Sequence, residues 1–291
     1  MDFGRLITAM VTPFDSELNI DWNQVGKLMD YLIEEQGNDG LVICGTTGES
    51  PTLTEEEKLQ LFDFAVKHAK GRVKIIAGTG SNDTAHTIHL SKEAEKLGVD
   101  GLLLVAPYYN RPSQEGLYQH YKAVAEAVNI PCILYNVPGR TGVNISVETT
   151  IRLSQLPNIA ATKDCADLDQ LTQIAAGAAP GFLVYSGEDS MTLPALSIGA
   201  HGIISVASHV IGKDMKSMIN YYLQGQVREA VQLHAKLHPV FKGLFECPHR
   251  VPNPAPVKFA LNHKGVQVGG VRLPLIDATE EEGRFIASLF E

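Results

Sequence analysis

One lysine is distinguished by its place in the sequence. Lys163 ends a short apolar run that begins at Ile159, whereas most other lysines fall on predicted helix faces or in loops. A lysine amine has a pKa of about 10.4 in water, and burial lowers that pKa and frees the amine as a nucleophile. Such an amine can form a Schiff base with a carbonyl compound. The alternative is a buried ion pair with Asp164 or Asp189, and position alone favours the catalytic interpretation only slightly.

Other side chains that could act on a carbonyl substrate or bind a small carboxylate follow neighbouring apolar runs. Tyr135 ends one run and could carry a proton, although a core tyrosine with a bonded hydroxyl is the commoner case. Thr46 and Thr47 lie in a glycine-flanked loop, where backbone N–H groups and hydroxyls suit a carboxylate unless the loop is a plain turn. Arg140 follows a Pro-Gly turn, and its guanidinium suits either a substrate carboxylate or a surface ion pair.

The elements that must position these residues alternate along the chain. Short apolar runs of strand length are separated by segments with helical periodicity, such as the stripe from Val25 to Leu32. The runs begin at Leu6, Gly40, Val73, Gly101, Pro131, Ile159, Phe182 and Gly202, with a mean spacing of about 28 residues. This alternation predicts a parallel α/β sheet with right-handed crossovers. An open doubly wound sheet is compatible with it, but eight evenly spaced units favour a closed (β/α)8 TIM barrel.

The barrel prediction brings the chemistry-bearing residues together, because the carboxyl ends of barrel strands form the catalytic mouth. Tyr135, Lys163 and the loops that begin at Gly45, Pro107 and Ser186 all follow predicted strands. We therefore expect them at one mouth.

The alternation stops after about residue 225. A helical stretch near Val227–Leu244 is followed by a Pro-rich segment, Cys247–Pro256, and then by more helix. We therefore predict a catalytic barrel over residues 1–225 and a C-terminal helical extension over residues 226–291.

Composition and charge exclude several classes of partner. The 291 residues include 33 acidic and 24 basic ones, which gives a formal charge of −9. Nucleic acid and anionic membrane surfaces, which bind clustered Lys and Arg, are therefore poor partners. No signal peptide and no apolar run of membrane-spanning length is visible, so we expect a cytoplasmic protein.

Metal and dithiol chemistry have little support in the sequence. No two of the four cysteines form a C-x-x-C pair, and Cys44 and Cys132 lie inside apolar runs typical of a core. The spacings of two histidine pairs are compatible with metal ligands, but without a clear carboxylate partner they favour solvated helix faces. These pairs are His86 with His89 and His234 with His238.

Taken together, these residues resemble the dihydrodipicolinate synthase family of pyruvate-dependent class I aldolases. The resemblance covers nearly the whole chain, and the number and order of the shared motifs argue strongly against chance. The motifs include GTTGES (Gly45–Ser50), PYYNRPSQEG (Pro107–Gly116), YNVPGRTG (Tyr135–Gly142), Lys163 and YSGED (Tyr185–Asp189).

The resemblance implies a (β/α)8 barrel with C-terminal helices and a role for each catalytic position. Lys163 would form a Schiff base with pyruvate, and Tyr135 would donate and accept protons. Thr46 and Tyr109 would complete a proton relay to solvent, with Tyr109 reaching across from the neighbouring subunit of a tight dimer. The implied assembly is a homo-oligomer, a dimer or a homotetramer built from two dimers.

The resemblance also implies the substrates. Thr47, Gly187 and Ile204 match positions around pyruvate, and Arg140 matches the residue that receives the carboxylate of L-aspartate 4-semialdehyde. The implied reaction condenses the two in the first committed step toward diaminopimelate and lysine. It needs no metal or organic cofactor.

Two alternatives stay open. Another aldolase of the superfamily, acting on sialic acid or a 2-keto acid, would use Lys163 and Tyr135 equally well, but the segment Asn136–Arg140 resembles the synthase. A non-catalytic barrel that binds keto acids is disfavoured because the catalytic set is intact. One departure is the run Lys163–Asp167, which lacks the glycine usual in relatives and is one residue shorter.

The resemblance also bears on feedback inhibition by lysine. Many relatives bind lysine in a cleft that includes the positions of Ser50, Asn82 and Tyr108. Lysine-sensitive relatives typically carry histidine at the position of Lys58 and glutamate at that of His86. We therefore expect weak or absent inhibition by lysine.

Overall fold

Eight parallel strands close on themselves in a computed structural model that describes residues 2–291. The strands are β1 (Leu6–Ala9), β2 (Gly40–Ile43), β3 (Lys74–Gly78), β4 (Gly101–Val105), β5 (Cys132–Asn136), β6 (Ile159–Asp164), β7 (Leu183–Ser186) and β8 (Gly202–Ser205). Each strand pairs with the next along the chain, and β8 pairs with β1. The predicted TIM barrel is confirmed, and every strand begins within one residue of its predicted start.

The strands form where the apolar runs lie because each is covered on both faces. Since side chains alternate between faces, one set fills the barrel and the other packs under the helices. Ile7, Val42, Ile76, Ile133 and Ile204 are among the buried side chains of the barrel interior. Such a packed interior holds the strand ends, and therefore the mouth, in fixed positions.

Helices cover the outside of the barrel. They are α1 (Trp22–Asp30), α2 (Glu55–Ala69), α3 (Thr84–Lys96), α4 (Gln114–Ala127), α5 (Pro138–Thr141), α6 (Val147–Leu153), α7 (Leu168–Gly177), α8 (Thr192–Ser197) and α9 (Ser208–Leu223). The start of α2 shows how the local sequence determines where a helix begins. Thr54 accepts a hydrogen bond from the backbone of Glu57, whose side chain accepts one from the backbone of Thr54.

Three helices follow the barrel: α10 (Val227–Glu246), α11 (Ala255–His263) and α12 (Glu280–Ser288). The helix predicted near Val227–Leu244 corresponds to α10. The further helix expected after the Pro-rich segment is present as α11 and α12, with the non-helical residues 264–279 between them. Among residues 2–291, no helix is both long enough and apolar enough to cross a membrane.

A buried group of charges joins these C-terminal helices to the barrel. The Lys258 amine lies 2.8 Å from Glu49 Oε1 and donates to the Gly270 carbonyl at 2.6 Å. Arg272 donates its backbone N–H to Glu49 Oε2 and makes two hydrogen bonds to Glu57. We call Glu49, Glu57, Lys258 and Arg272 the C-terminal seam. It fixes the far end of the loop that carries Thr46 and Thr47.

Candidate active site

Lys163 and Tyr135 lie side by side at the carboxyl ends of β6 and β5. The two residues are in register across the strand pair. The Lys163 Nζ atom lies 4.3 Å from the centroid of the Tyr135 ring, and each residue is only 5% exposed. Ala161, two residues before Lys163, belongs to the barrel interior. Strand alternation therefore directs the lysine into the mouth, as the sequence predicts.

The ion-pair alternative for Lys163 is wrong. Asp164 accepts hydrogen bonds from Ala166 and Gln170 on the other face of the strand. Asp189 accepts from Ser205 Oγ at 2.5 Å and from the Ala207 N–H at 2.8 Å, and burial raises its pKa to about 6. Within residues 2–291 no carboxylate lies at ion-pair distance from the Lys163 amine. The amine is therefore available to a substrate.

The stem of Lys163 packs against Gly187 and Cys165. A Cβ atom at Gly187 would lie 2.3 Å from Cys165 Sγ and 2.9 Å from Lys163 Cε, so any larger residue there would displace these two side chains. Burial raises the pKa of the Cys165 thiol to about 12, so the thiol stays protonated and does not compete as a nucleophile. Sequence reasoning missed Cys165, although its position two residues after Lys163 places it on the same face.

Tyr135 is a protonated phenol in this environment. Burial raises the pKa of its hydroxyl, while the Lys163 charge and a hydrogen bond with Thr46 oppose that shift. The hydroxyl therefore has a proton to give at neutral pH. Its contacts with Lys163 and Thr46 place it between the amine and the threonine loop.

The threonine loop offers unused hydrogen-bond donors. The Gly48 N–H bonds to the Gly45 carbonyl and closes the turn. Thr47 is buried and Thr46 is half-buried. Among the described residues 2–291, no protein acceptor takes the backbone N–H of either threonine. Two such adjacent donors suit a carboxylate. Ile204, fully buried on β8, forms part of the apolar interior beneath the mouth.

A cavity of about 650 Å³ opens beside these residues, and Arg140 lies at its edge. Thr46, Tyr135 and Arg140 line one part of it, and the cavity continues to Lys58 and Tyr108. Arg140 belongs to the short helix α5 and its side chain is exposed. No carboxylate in residues 2–291 pairs with Arg140, so the surface ion pair considered from the sequence is not formed.

Tyr109 is not brought to Lys163 within one chain. The residue is 89% exposed, has a left-handed backbone with φ of 72°, and does not line the cavity, whereas Tyr108 does. Its backbone N–H bonds to the Thr141 carbonyl at 3.4 Å, which ties it to the end of α5.

The histidine pairs show one difference from expectation. His86 and His89 do have a carboxylate partner, because Glu55 lies 3.5 Å and 3.0 Å from their rings. His234 and His238 lie with ring centroids 6.1 Å apart. In the described part of the chain, no group of three or more His, Cys, Asp or Glu residues is arranged to hold a metal ion.

The fold and the site define a class: a (β/α)8-barrel enzyme with a buried lysine, Lys163, at the carboxyl end of a barrel strand and beside a tyrosine. The model of the dihydrodipicolinate synthetase family matches residues 2–290. A 4-hydroxy-tetrahydrodipicolinate synthase from Bacillus velezensis is 53% identical over 290 residues, covering 99% of each chain. The solved dihydrodipicolinate synthase from Bacillus anthracis is 52% identical and covers 99% of this chain and 98% of its own, with a TM-score of 0.96. A chloride-inhibited dihydrodipicolinate synthase from Acinetobacter baumannii, solved in complex with pyruvate, is 41% identical and covers 99% of this chain and 98% of its own, with a TM-score of 0.95.

The chain belongs to the dihydrodipicolinate synthetase family. The family predicted from the sequence motifs is confirmed, and so is the predicted class of enzyme, a lyase-type synthase. The comparisons support this main prediction and not the alternative aldolases or the non-catalytic barrel.

Proposed function

We propose that this chain condenses pyruvate, held as a Schiff base on Lys163, with L-aspartate 4-semialdehyde to give 4-hydroxy-tetrahydrodipicolinate. The observation that carries the proposal is the buried, unpaired Lys163 amine beside the Tyr135 ring in a barrel of this family. A desolvated amine without a carboxylate partner is suited to attack on a carbonyl carbon.

Lys163 supplies the bond-forming atom. Its amine attacks C2 of pyruvate, and the resulting carbinolamine loses water to become an iminium. Loss of a proton from C3 gives the enamine, whose C3 then attacks the aldehyde carbon of the second substrate. The amino group of that substrate displaces Lys163 from C2, which closes the ring and regenerates the lysine. One water is released for each product formed.

Tyr135 supports these steps by moving protons. Its hydroxyl can protonate the departing hydroxyl of the carbinolamine and take a proton back later, because it lies next to the reacting amine. The contact with Thr46 gives that proton a path away from the site.

The remaining residues bind the substrates. The free N–H groups of Thr46 and Thr47 receive the pyruvate carboxylate, and Gly187 and Ile204 form the walls near C2 and C3. Arg140 at the cavity edge receives the carboxylate of aspartate semialdehyde. The substrates are small molecules, and nucleic acid and membrane are not partners in this proposal.

An assay with pyruvate and a panel of aldehydes tests the proposal. The wild type should prefer aspartate semialdehyde. Arg140→Ala should lower kcat/KM for it by roughly 10- to 150-fold, the worth of a charge-assisted hydrogen bond, while leaving Schiff-base formation with pyruvate unchanged. Arg228→Ala, an exposed arginine outside the cavity lining, is the matched control. Full wild-type activity with neutral aldehydes would instead favour a broader 2-keto-acid aldolase.

We also propose that the active form is a homo-oligomer, either a dimer or a tetramer of two dimers, in the cytoplasm. The supporting observation is Tyr109, which is highly exposed and held in a left-handed conformation beside α5 in the single chain. A tyrosine placed in this way can reach the mouth of a neighbouring copy. The division into a barrel over residues 1–225 and an extension over residues 226–291 stays a prediction.

A further inference from the structure

The strand pair that carries Lys163 and Tyr135 also carries a second residue pair on its opposite face. Asn136 follows Tyr135, Asp164 follows Lys163, and the two are in register across β5 and β6. Because successive strand residues face opposite sides, this pair lies behind the mouth rather than in it. Both residues are fully buried.

Asp164 is surrounded by hydrogen-bond donors. Its Oδ1 accepts from the Ala166 N–H at 2.7 Å and from Asn136 Nδ2 at 3.1 Å. Its Oδ2 accepts from Gln170 Nε2 at 2.9 Å and from Asn136 Nδ2 at 3.2 Å. Every partner donates, so a carboxylate satisfies all of them and an amide would not.

Asn136 joins the two ends of the segment that carries Arg140. Its Oδ1 accepts from the Ile145 N–H at 3.0 Å, while its Nδ2 also donates to Asn144 Oδ1 at 2.7 Å. Gln170 strengthens the same closure, because it accepts from Asn144 Nδ2 at 2.9 Å and donates to the Ile145 carbonyl at 3.1 Å. We call Asn136, Asn144, Asp164 and Gln170 the Asp164 network.

The direction of the Asn136 amide is set by Asp164. Its NH₂ group must point to the carboxylate and its oxygen to the Ile145 N–H, and a reversed amide would lose both. The guanidinium of Arg140 makes no hydrogen bond to protein within residues 2–291, so the backbone of segment 137–145 sets which part of the cavity the side chain can reach. That backbone is closed by Asn136.

We propose that Asp164 is a positioning residue for the second substrate: through Asn136 it closes the segment 137–145 and holds Arg140 over the mouth. The inference rests on the proposed function, which gives Arg140 its substrate carboxylate. It assigns Asp164 no contact with either substrate, although its neighbour Lys163 forms the covalent bond.

Asp164→Asn tests this role. The new NH₂ group cannot accept a hydrogen bond and would face the N–H donors that now bond to the carboxylate. We expect kcat/KM for aspartate semialdehyde to fall roughly tenfold, since a misplaced binding group loses its interaction. Trapping of pyruvate by borohydride, measured without the aldehyde, should stay within about twofold of wild type because Lys163 faces the other way. Asp169→Asn makes the same change at an exposed position of α7 and should alter neither quantity.

A double variant separates an effect on the position of Arg140 from a general loss of active-site structure. In the Arg140→Ala background, Asp164→Asn should cause no further loss with the aldehyde, because its effect passes through Arg140. Losses that multiply, or an equal loss in pyruvate trapping, would overturn the inference. If Asp164→Asn does not fold, Gln170→Ala removes one donor from a half-buried position and should show the same selective loss at smaller size. Failure of the wild type to trap pyruvate would instead contradict the proposed function.

Discussion

Two buried lysines in this barrel have opposite surroundings. Lys258 is 2% exposed, and its amine lies 2.8 Å from the equally buried Glu49 and donates to the Gly270 carbonyl. Lys163 is 5% exposed and has no carboxylate partner within residues 2–291. Both amines lie over an aromatic ring, 4.2 Å from the Phe14 centroid and 4.3 Å from that of Tyr135.

Both lysines are buried, so what distinguishes them is the partner of the amine. Burial lowers the pKa of Lys258 to about 8, yet the Glu49 carboxylate opposes that shift and keeps the amine in an ion pair. The aromatic contact is common to both sites and therefore decides nothing. The carboxylate partner separates a lysine that joins parts of the fold from one that is open to a substrate.

Removing the Tyr135 hydroxyl should have the largest effect on turnover. Tyr135→Phe keeps the ring beside Lys163 and removes only the proton carrier, so kcat should fall roughly 10²–10⁴-fold. Steady-state kinetics measure this. Tyr185→Phe is the matched control, because this buried tyrosine donates to the Gly4 carbonyl and should change kcat little. Wild-type kcat in a folded Tyr135→Phe protein would remove Tyr135 from the mechanism.

Lys258→Met should damage stability rather than chemistry. Removing the amine leaves Glu49 charged and buried, which costs about 3–5 kcal/mol in the free energy of unfolding. Urea denaturation measures the loss, and pyruvate trapping on Lys163 should persist in the folded variant. Adding Glu49→Gln should recover part of the stability, because the uncompensated charge is then gone. An unchanged stability in the single variant would contradict the role assigned to the C-terminal seam.

Tyr109→Phe should lower kcat by roughly 10²-fold, the lower end for a proton-transfer group, if the tyrosine completes the proton relay of a neighbouring subunit. Mixing this variant with Lys163→Ala under subunit exchange forms dimers with one complete site. Random exchange should then restore about a quarter of wild-type activity. Confirmed exchange without recovery would place Tyr109 in the relay of its own chain, or in none.

Millimolar lysine should barely change the rate, the smallest effect expected. The cavity holds Lys58, half-buried and without a carboxylate partner in residues 2–291, and burial lowers its pKa. His86 also lines the cavity and interacts with Glu55. A lysine ligand would bring two ammonium groups toward this charge, which opposes binding. Inhibition at sub-millimolar lysine, with heat of binding in calorimetry, would contradict this. The double variant Lys58→His, His86→Glu should increase sensitivity.

The two lysines also show how far the sequence alone can reach. The placement of Lys163 at the mouth could be predicted because strand alternation is a local pattern. An apolar run ends at the lysine, and the same pattern places Tyr135 on the neighbouring strand. The placement of Lys258 could not be predicted, since its partner Glu49 lies far away in the sequence and meets it only after the barrel and α11 pack together. Lys258 lies on α11, and a position on a helix does not by itself show that a lysine is buried.

The residues at the barrel mouth show the same limit on what the sequence alone can predict. The convergence of Thr46, Tyr135 and Arg140 followed from the barrel rule alone. The Asp164 network depends on the exact path of residues 137–145 and on side-chain amide directions, which no periodicity encodes. The exposure of Tyr109 also depends on tertiary packing. The local sequence pattern does not predict its left-handed backbone conformation.

Reductive trapping with peptide mapping tests the central claim most directly. The protein is incubated with pyruvate, reduced with borohydride, digested and analysed by mass spectrometry. The account predicts a reduced pyruvyl adduct on Lys163, none on Lys258, and no adduct in Lys163→Ala. An adduct on Lys258 or another lysine, or an active enzyme that traps no pyruvate, would contradict it.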